Sequence, residues 1–160
     1  MSENVPLSNP GVRFPPPLLF VAGLVLGWAL GRAGPWLRFA ASGSGAYAIV
    51  GVGMIVVGVV LALSGILTFR AARTAIIPSH GASRIVTSGP YRFTRNPMYV
   101  GLTLAYVGAA LLIGTYWPFL LLPVVLALLV RLVIRREEAY LISAFHDEYA
   151  SYSARVRRWL

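Results

Sequence analysis

No charged side chain falls between Ala46 and Phe69, and three further apolar stretches fill most of the remaining chain. A hydrocarbon core of ~30 Å is crossed by about 20 helical residues. Four segments suit that span: Pro17 to Gly31, Ala46 to Phe69, Pro97 to Gly114, and Tyr116 to Ile134. The join Ile113-Gly114-Thr115-Tyr116-Trp117-Pro118 is very short and carries interfacial aromatics, so the last two segments form a tight helical hairpin. Pro123, inside the fourth, is expected to kink it. The expected fold class is an all-α integral membrane protein with about four transmembrane helices plus a cytosolic C-terminal amphipathic helix.

Composition agrees. Of the 160 residues 58% are hydrophobic and only 12% charged, too apolar for a water-soluble domain of this size. Cysteine is absent, which excludes disulfides, zinc–cysteine sites and cysteine nucleophiles. His80 and His146 alone do not make a metal site, and no metal is expected. All 14 basic residues are arginine, and the net charge is +9. These arginines flank the apolar segments, so they speak for membrane topology and anionic headgroups rather than for nucleic acid.

Arg70, Arg73, Arg84, Arg92 and Arg95 lie between the second and third segments, and Arg135, Arg136, Arg155, Arg157 and Arg158 follow the fourth. Both regions are expected on the cytoplasmic side of a bacterial-type inner membrane. Arg32 and Arg38, in the first connection, run against that assignment. The first segment resembles the apolar part of a signal peptide, but no Ala-x-Ala site follows it, and a retained helix is expected. Its Gly23, Gly27 and Gly31, four apart, allow close helix approach, either within the chain or in a homodimer. Beyond the fourth segment, Glu138, Ile142, Phe145, Tyr149, Tyr152, Val156 and Trp159 recur at alternating spacings of four and three, one stripe along a helix. That helix either lies on the membrane surface or closes over a ligand as a cap.

No ionisable residue sits at mid-membrane depth, where a proton-coupled transporter keeps a carboxylate. Neither a Gly-x-Gly-x-x-Gly turn nor a Walker lysine occurs, and Gly51-Val52-Gly53 lies in an apolar helix as packing. What stands out is Gly89-Pro90-Tyr91-Arg92-Phe93-Thr94-Arg95-Asn96-Pro97-Met98-Tyr99-Val100-Gly101, and the Glu137-Glu138 pair one helical hairpin later. Asn96 suits an N-cap and Pro97 a first helical turn. The hairpin brings the guanidinium-bearing loop and the two carboxylates to one membrane face. Opposite charges gathered beside lipid suit a zwitterionic, cationic or anionic ligand. Arg131 and Arg135 are spaced to share a face with Glu138.

The run from Gly89 to Gly101, the Glu137-Glu138 pair, and Phe145-x-x-x-Tyr149-x-x-Tyr152 followed by Val156-x-Arg158 resemble the isoprenylcysteine carboxyl methyltransferase family, whose superfamily includes phospholipid N-methyltransferases. The resemblance covers roughly Phe69 to Leu160. The family's usual pattern has histidine where this chain has Asn96, and Phe-Gly where it has Phe145-His146.

The resemblance implies a membrane methyltransferase that uses S-adenosylmethionine, held between the membrane helices and the C-terminal cap. Its contacts would come from Tyr91, Arg95, Asn96, Pro97, Met98, Tyr99, Gly101, Glu137, Glu138, Tyr149 and Tyr152, with Arg135 and Glu138 as catalytic candidates. Residues 1–160 then form one membrane domain: an N-terminal segment (1–16), two helices (17–69), and a cofactor-binding core (70–160) with its cap at 135–160. The expected acceptor is lipid-like, first an isoprenylcysteine-type carboxylate. The alternatives are a phospholipid or another small hydrophobe methylated on N, O or S. A non-catalytic transporter or assembly partner is the reading from another class.

Overall fold

The computed structural model describes residues 10–12, 14–34, 37–38, 45–72 and 84–160. Arg13, Arg73 and His80 lie outside them. Helix α1 spans Pro17–Ala33, α2 Gly45–Ala71, α3 Pro97–Ile113 and α4 Trp117–Leu129. A 3₁₀ turn, Gly89–Arg92, precedes α3. A π-helical segment, Val130–Ile134, joins α4 to α5, Arg135–Arg155. No strand forms among the described residues; one isolated bridge pairs Arg38 with Thr115.

Helix α2 and the run from Trp117 to Arg155 are long and apolar enough to cross a membrane, while α1 and α3 are apolar and shorter. Only 17% of the most apolar window of α2 is buried, and Ile49, Val60 and Leu67 stand open at 75%, 60% and 60%. Such a surface would not persist in water; this is a membrane protein. The helix continues through Pro123, which is exposed, and first departs from α geometry at Val130–Ile134.

Helix α3 lies against α2 on one side and α1 on another, and α1 packs along α4. The core comprises Phe20, Tyr99, Tyr106, Val125, Leu129, Val133 and Ile134, with Val12 of the N-terminal segment folded over it. Two sets of glycines set the helix spacing. Gly51 and Gly58 of α2 face Gly108 and Gly101 of α3, backbone to backbone: a Cβ on Gly58 would meet the Gly101 carbonyl at 2.5 Å. On α1, a Cβ at Gly23, Gly27 or Gly31 would strike Val125, Pro118 or Thr115 within 2.6–2.8 Å. The glycine stripe of α1 is therefore filled from within the chain, and the homodimer expected through Gly23, Gly27 and Gly31 has no free surface there.

The α1–α2 connection and the α3–α4 turn lie at the same end. Leu37 O accepts from Tyr116 N at 2.7 Å and from Thr115 Oγ1 at 3.0 Å. Gly114, at φ 75°, closes α3 with its N–H on Ala110 O. Arg38 Nη2 donates to Gly31 O at 3.2 Å. Its charge thus sits at a helix C-terminus, the stabilising end for a cation, which explains one arginine that the positive-inside pattern leaves unexplained.

The C-terminal stripe is not continuous. His146, at φ 41° and ψ −114°, breaks helical geometry inside α5. Before the break Ile142 is exposed; after it Tyr149 and Tyr152 are buried. A non-glycine residue in such a region carries about 1–3 kcal/mol of strain. His146 occupies the position where the resembled pattern has glycine. Replacing His146 with Gly is expected to stabilise the protein by about 1 kcal/mol, strain relief less glycine's own entropy cost. Thermal unfolding in detergent would register this as a raised Tm.

Candidate functional site

The site begins with the loop before α3. Gly89, at φ 58°, lies against Thr68 of α2, and Pro90 opens the turn that buries Tyr91. Phe69 meets the Tyr91 ring edge-on at 5.1 Å. Arg95 then projects towards α5, where its Nη1 lies 3.2 Å from Glu138 Oε1 and 3.3 Å from the Tyr149 hydroxyl. Arg158 grips the same carboxylate with two donors, Nε to Oε1 at 3.0 Å and Nη2 to Oε2 at 2.6 Å. Arg95 and Glu138 are 16% and 15% exposed, so this ion pair is shielded. One residue earlier, Glu137 Oε1 accepts from the Tyr99 hydroxyl at 2.7 Å.

The C-terminal tail ties the loop down. Arg95 N–H donates to Arg157 O at 2.9 Å, while Thr94 Oγ1 and Asn96 Nδ2 donate to Arg158 O at 3.1 and 2.9 Å. Tyr152 donates to Tyr91 O at 2.8 Å. Asn96 therefore stands at the N-cap position without capping by its side chain. Its carbonyl accepts from Tyr99 and Val100, and its amide reaches the tail. This donor role needs N–H, not acid–base chemistry.

Of the residues singled out from sequence, Tyr91, Arg95, Tyr99, Glu137, Glu138, Tyr149 and Tyr152 do come together. Pro97 and Met98 border the Tyr91 end of this cluster, and Gly101 lies apart from it. A Cβ at Gly65 of α2 would meet Met98 Cγ at 2.8 Å, the Tyr91 hydroxyl at 3.4 Å and Pro97 Cγ at 3.6 Å, and Gly101 lies at the Gly58 crossing. Their place is the α2–α3 interface. Arg135 also departs from expectation. It lines a groove with Arg131 and Trp159, and the ion pairs of Glu138 are made by Arg95 and Arg158 instead. Sequence reasoning missed two participants. Arg158 was read only as part of a tail motif, and nothing local marks its partner twenty residues away. Thr94 looked like a loop residue, yet it is 2% exposed and accepts from Asn96 N–H.

Burial pushes the Glu137 carboxyl up to about 7, and Glu138 beside it adds to the rise, while the Tyr99 hydroxyl opposes it. Burial likewise raises the Tyr91 and Tyr149 hydroxyls. The hydrogen bond to Glu138 raises Arg158. Glu137 thus binds its proton more tightly folded than unfolded. Its contribution to stability is greatest at low pH, falls as pH rises from about 4.5 to about 7, and is flat above. Wild type is expected to lose Tm relative to Glu137→Gln across that window; a parallel course of the two curves would count against it.

Two buried polar atoms in the cluster have no hydrogen-bond partner: the Tyr91 hydroxyl and Arg95 Nε. Buried polar groups are seldom left so. No group of three or more metal-ligating side chains occurs among the described residues.

An all-helical membrane fold with a shielded arginine–carboxylate cluster at one end defines the class. Within it, a sequence model of the phospholipid methyltransferase family matches residues 46–148. The chain belongs to that family. The match includes the loop and both glutamates and stops short of Tyr149, Tyr152 and Arg158. The chain is 39% identical over 72 residues to a protein-S-isoprenylcysteine O-methyltransferase of Schizosaccharomyces pombe, covering 45% of this chain and 30% of that protein. It is 38% identical over 72 residues to the cobalt-zinc-cadmium resistance protein CzcN of Cupriavidus metallidurans, covering 45% of this chain and 33% of that protein. A Haemophilus influenzae protein of unknown role is 38% identical over 63 residues, 39% of this chain and 100% of its own length. The chain thus spans about a third of the first two relatives. No solved structure matches the chain at significance.

Proposed function

We propose that the protein is an S-adenosylmethionine-dependent methyltransferase that modifies a lipid-like acceptor at the membrane surface. The observation that carries this reading is the Glu138 carboxylate shared by Arg95 and Arg158, with the orphaned Arg95 Nε beside it. When bound, the cofactor supplies an electrophilic methyl group on a sulfonium. The donor set fits it. Glu138 would pair with its ammonium or its ribose hydroxyls, and Arg95 with its carboxylate. Tyr91 and Tyr149 offer a hydroxyl and aromatic faces to a cation. Residues 70–160 would form the cofactor-binding core, and the tail from Val156 excludes water by closing on Thr94 and Asn96. Such a displacement depends on alignment and dryness more than on acid–base groups.

Four membrane spans fit the shared end of the two hairpin connections. Helices α1 and α3, at 17 residues each, reach about 25 Å, close to the ~30 Å core. The arginine distribution supports a cluster on the cytoplasmic side of a bacterial-type inner membrane.

A prenylcysteine-type carboxylate is the preferred acceptor, because it is already ionised and needs no base. A phospholipid amine is the second reading, favoured by Glu137: a carboxyl near 7 is suited to removing a proton at neutral pH. The two separate on their pH–rate profiles. Incubation with methyl-labelled cofactor and total membrane lipids, followed by identification of labelled species, tests the proposal. Labelled lipid supports it. Cofactor that binds without labelling any lipid argues against a lipid acceptor.

A further inference from the structure

A groove of about 410 Å³ runs along the π segment on the surface where Arg135 lies. Leu126, Ala127 and Val130 line its apolar part, Arg131 and Arg135 its polar end, and Trp159 the opposite side. The apolar residues belong to the last span, and the two arginines stand where that span leaves the hydrocarbon. Arg131 belongs to the π segment and Arg135 opens α5, and both line this one groove. Arg38, Arg95, Arg136, Arg155 and Arg158 all have hydrogen-bond or ionic partners, whereas the guanidiniums of Arg70, Arg84, Arg92 and Arg157 have none among the described residues but lie outside this groove. Arg131 and Arg135 have none among the described residues, and both are exposed. Positive-inside topology accounts for arginine near a helix end, but not for two unpaired guanidiniums facing one groove under an indole.

We propose that this groove binds an acidic phospholipid of the surrounding bilayer. Its acyl chain lies along Leu126, Ala127 and Val130, and its phosphate sits between Arg131 and Arg135. Guanidinium forks suit phosphate oxygens, and an indole suits the headgroup level. The site is distinct from the Arg95–Glu138 cluster and does not rest on the methyl-transfer reading, because it is read out by lipid retention alone. Trp159 follows directly on Arg158, whose carbonyl holds Thr94 and Asn96. A lipid seated there therefore abuts the tail that closes the cluster.

Native mass spectrometry of the purified full chain in detergent, with added phosphatidylglycerol, phosphatidylcholine or inorganic phosphate, tests this. Phosphatidylglycerol is expected to stay bound one-to-one at concentrations at least tenfold below those phosphatidylcholine needs, and inorganic phosphate is not expected to displace it. The double variant R131Q/R135Q loses the preference, and R155Q/R157Q keeps it. If the double variant does not fold, R131Q and R135Q singly are each expected to show a partial loss. Four results would overturn the proposal. They are equal retention of the two lipids, an unchanged preference in R131Q/R135Q, an equal loss in R155Q/R157Q, and displacement by inorganic phosphate.

Discussion

Glu138→Gln is expected to abolish cofactor binding and to lower methyl transfer by at least about a hundredfold, the scale of losing one preorganised charged contact in a dry site. The reason lies in how many groups the carboxylate serves. Arg95 reaches it at 3.2 Å and Arg158 grips both its oxygens. A neutral amide keeps the shape but leaves two guanidiniums facing each other without a counter-charge. Breaking a fully buried pair costs about 3–5 kcal/mol. Arg158 is 36% exposed, and water screens part of that loss. A stability loss of about 2 kcal/mol is therefore expected, visible as a lowered Tm in detergent with the helix content intact. Arg158→Gln should resemble it in milder form, since Arg95 still covers the carboxylate.

The second large effect belongs to the α2–α3 crossing. Gly58→Leu is expected to prevent accumulation of folded protein. A Cβ there already meets Gly101 O at 2.5 Å and Ala105 N at 2.7 Å. Those are backbone atoms, which cannot rotate aside as a side chain would. Overpacking a core ordinarily costs about 1–3 kcal/mol; forcing two backbones apart along a helix adds to it. Gly53→Leu is the matched control. Nothing lies within 4 Å of its Cβ position, and it faces outward on the same helix. Membrane-fraction yield and monodispersity in detergent should collapse for Gly58→Leu and remain at wild-type level for Gly53→Leu. Equal yields would show that the helices do not meet at the glycines.

Much of this was legible in the chain. The charge-free runs marked the apolar helices, and the short Ile113–Pro118 join fixed the hairpin. That hairpin carries Glu138 back to Arg95, so a sequence-distant pair could be anticipated from helix length alone. Other features depend on contacts that no local pattern records. The glycines of α1 look like a dimer motif because spacing of four tells nothing of which helix fills the gap; Val125, Pro118 and Thr115 fill it. Gly51, Gly58 and Gly65, with Gly101 and Gly108, recur at seven, and that period was the available signal for the α2–α3 crossing. The break at His146 was also visible, as a non-glycine residue at a glycine position of the related pattern, though not as a bend. Arg135 was placed with Glu138 by helical spacing, and spacing does not tell that Arg95 and Arg158 already fill both oxygens of that carboxylate.

The family match makes the non-catalytic transporter the weaker account, and the lack of any mid-membrane carboxylate agrees with that. Both hairpin connections at one end and the ionic cluster at the other give the molecule the polarity that an enzyme working at one membrane surface needs.

Calorimetric titration of S-adenosylmethionine into purified wild type, Arg95→Gln and Glu138→Gln tests the central claim most directly. Saturable one-site binding by wild type, absent from both variants while their far-ultraviolet spectra remain helical, is the predicted result. Wild-type affinity in the two folded variants, or no heat of binding in the unmodified protein, would contradict it.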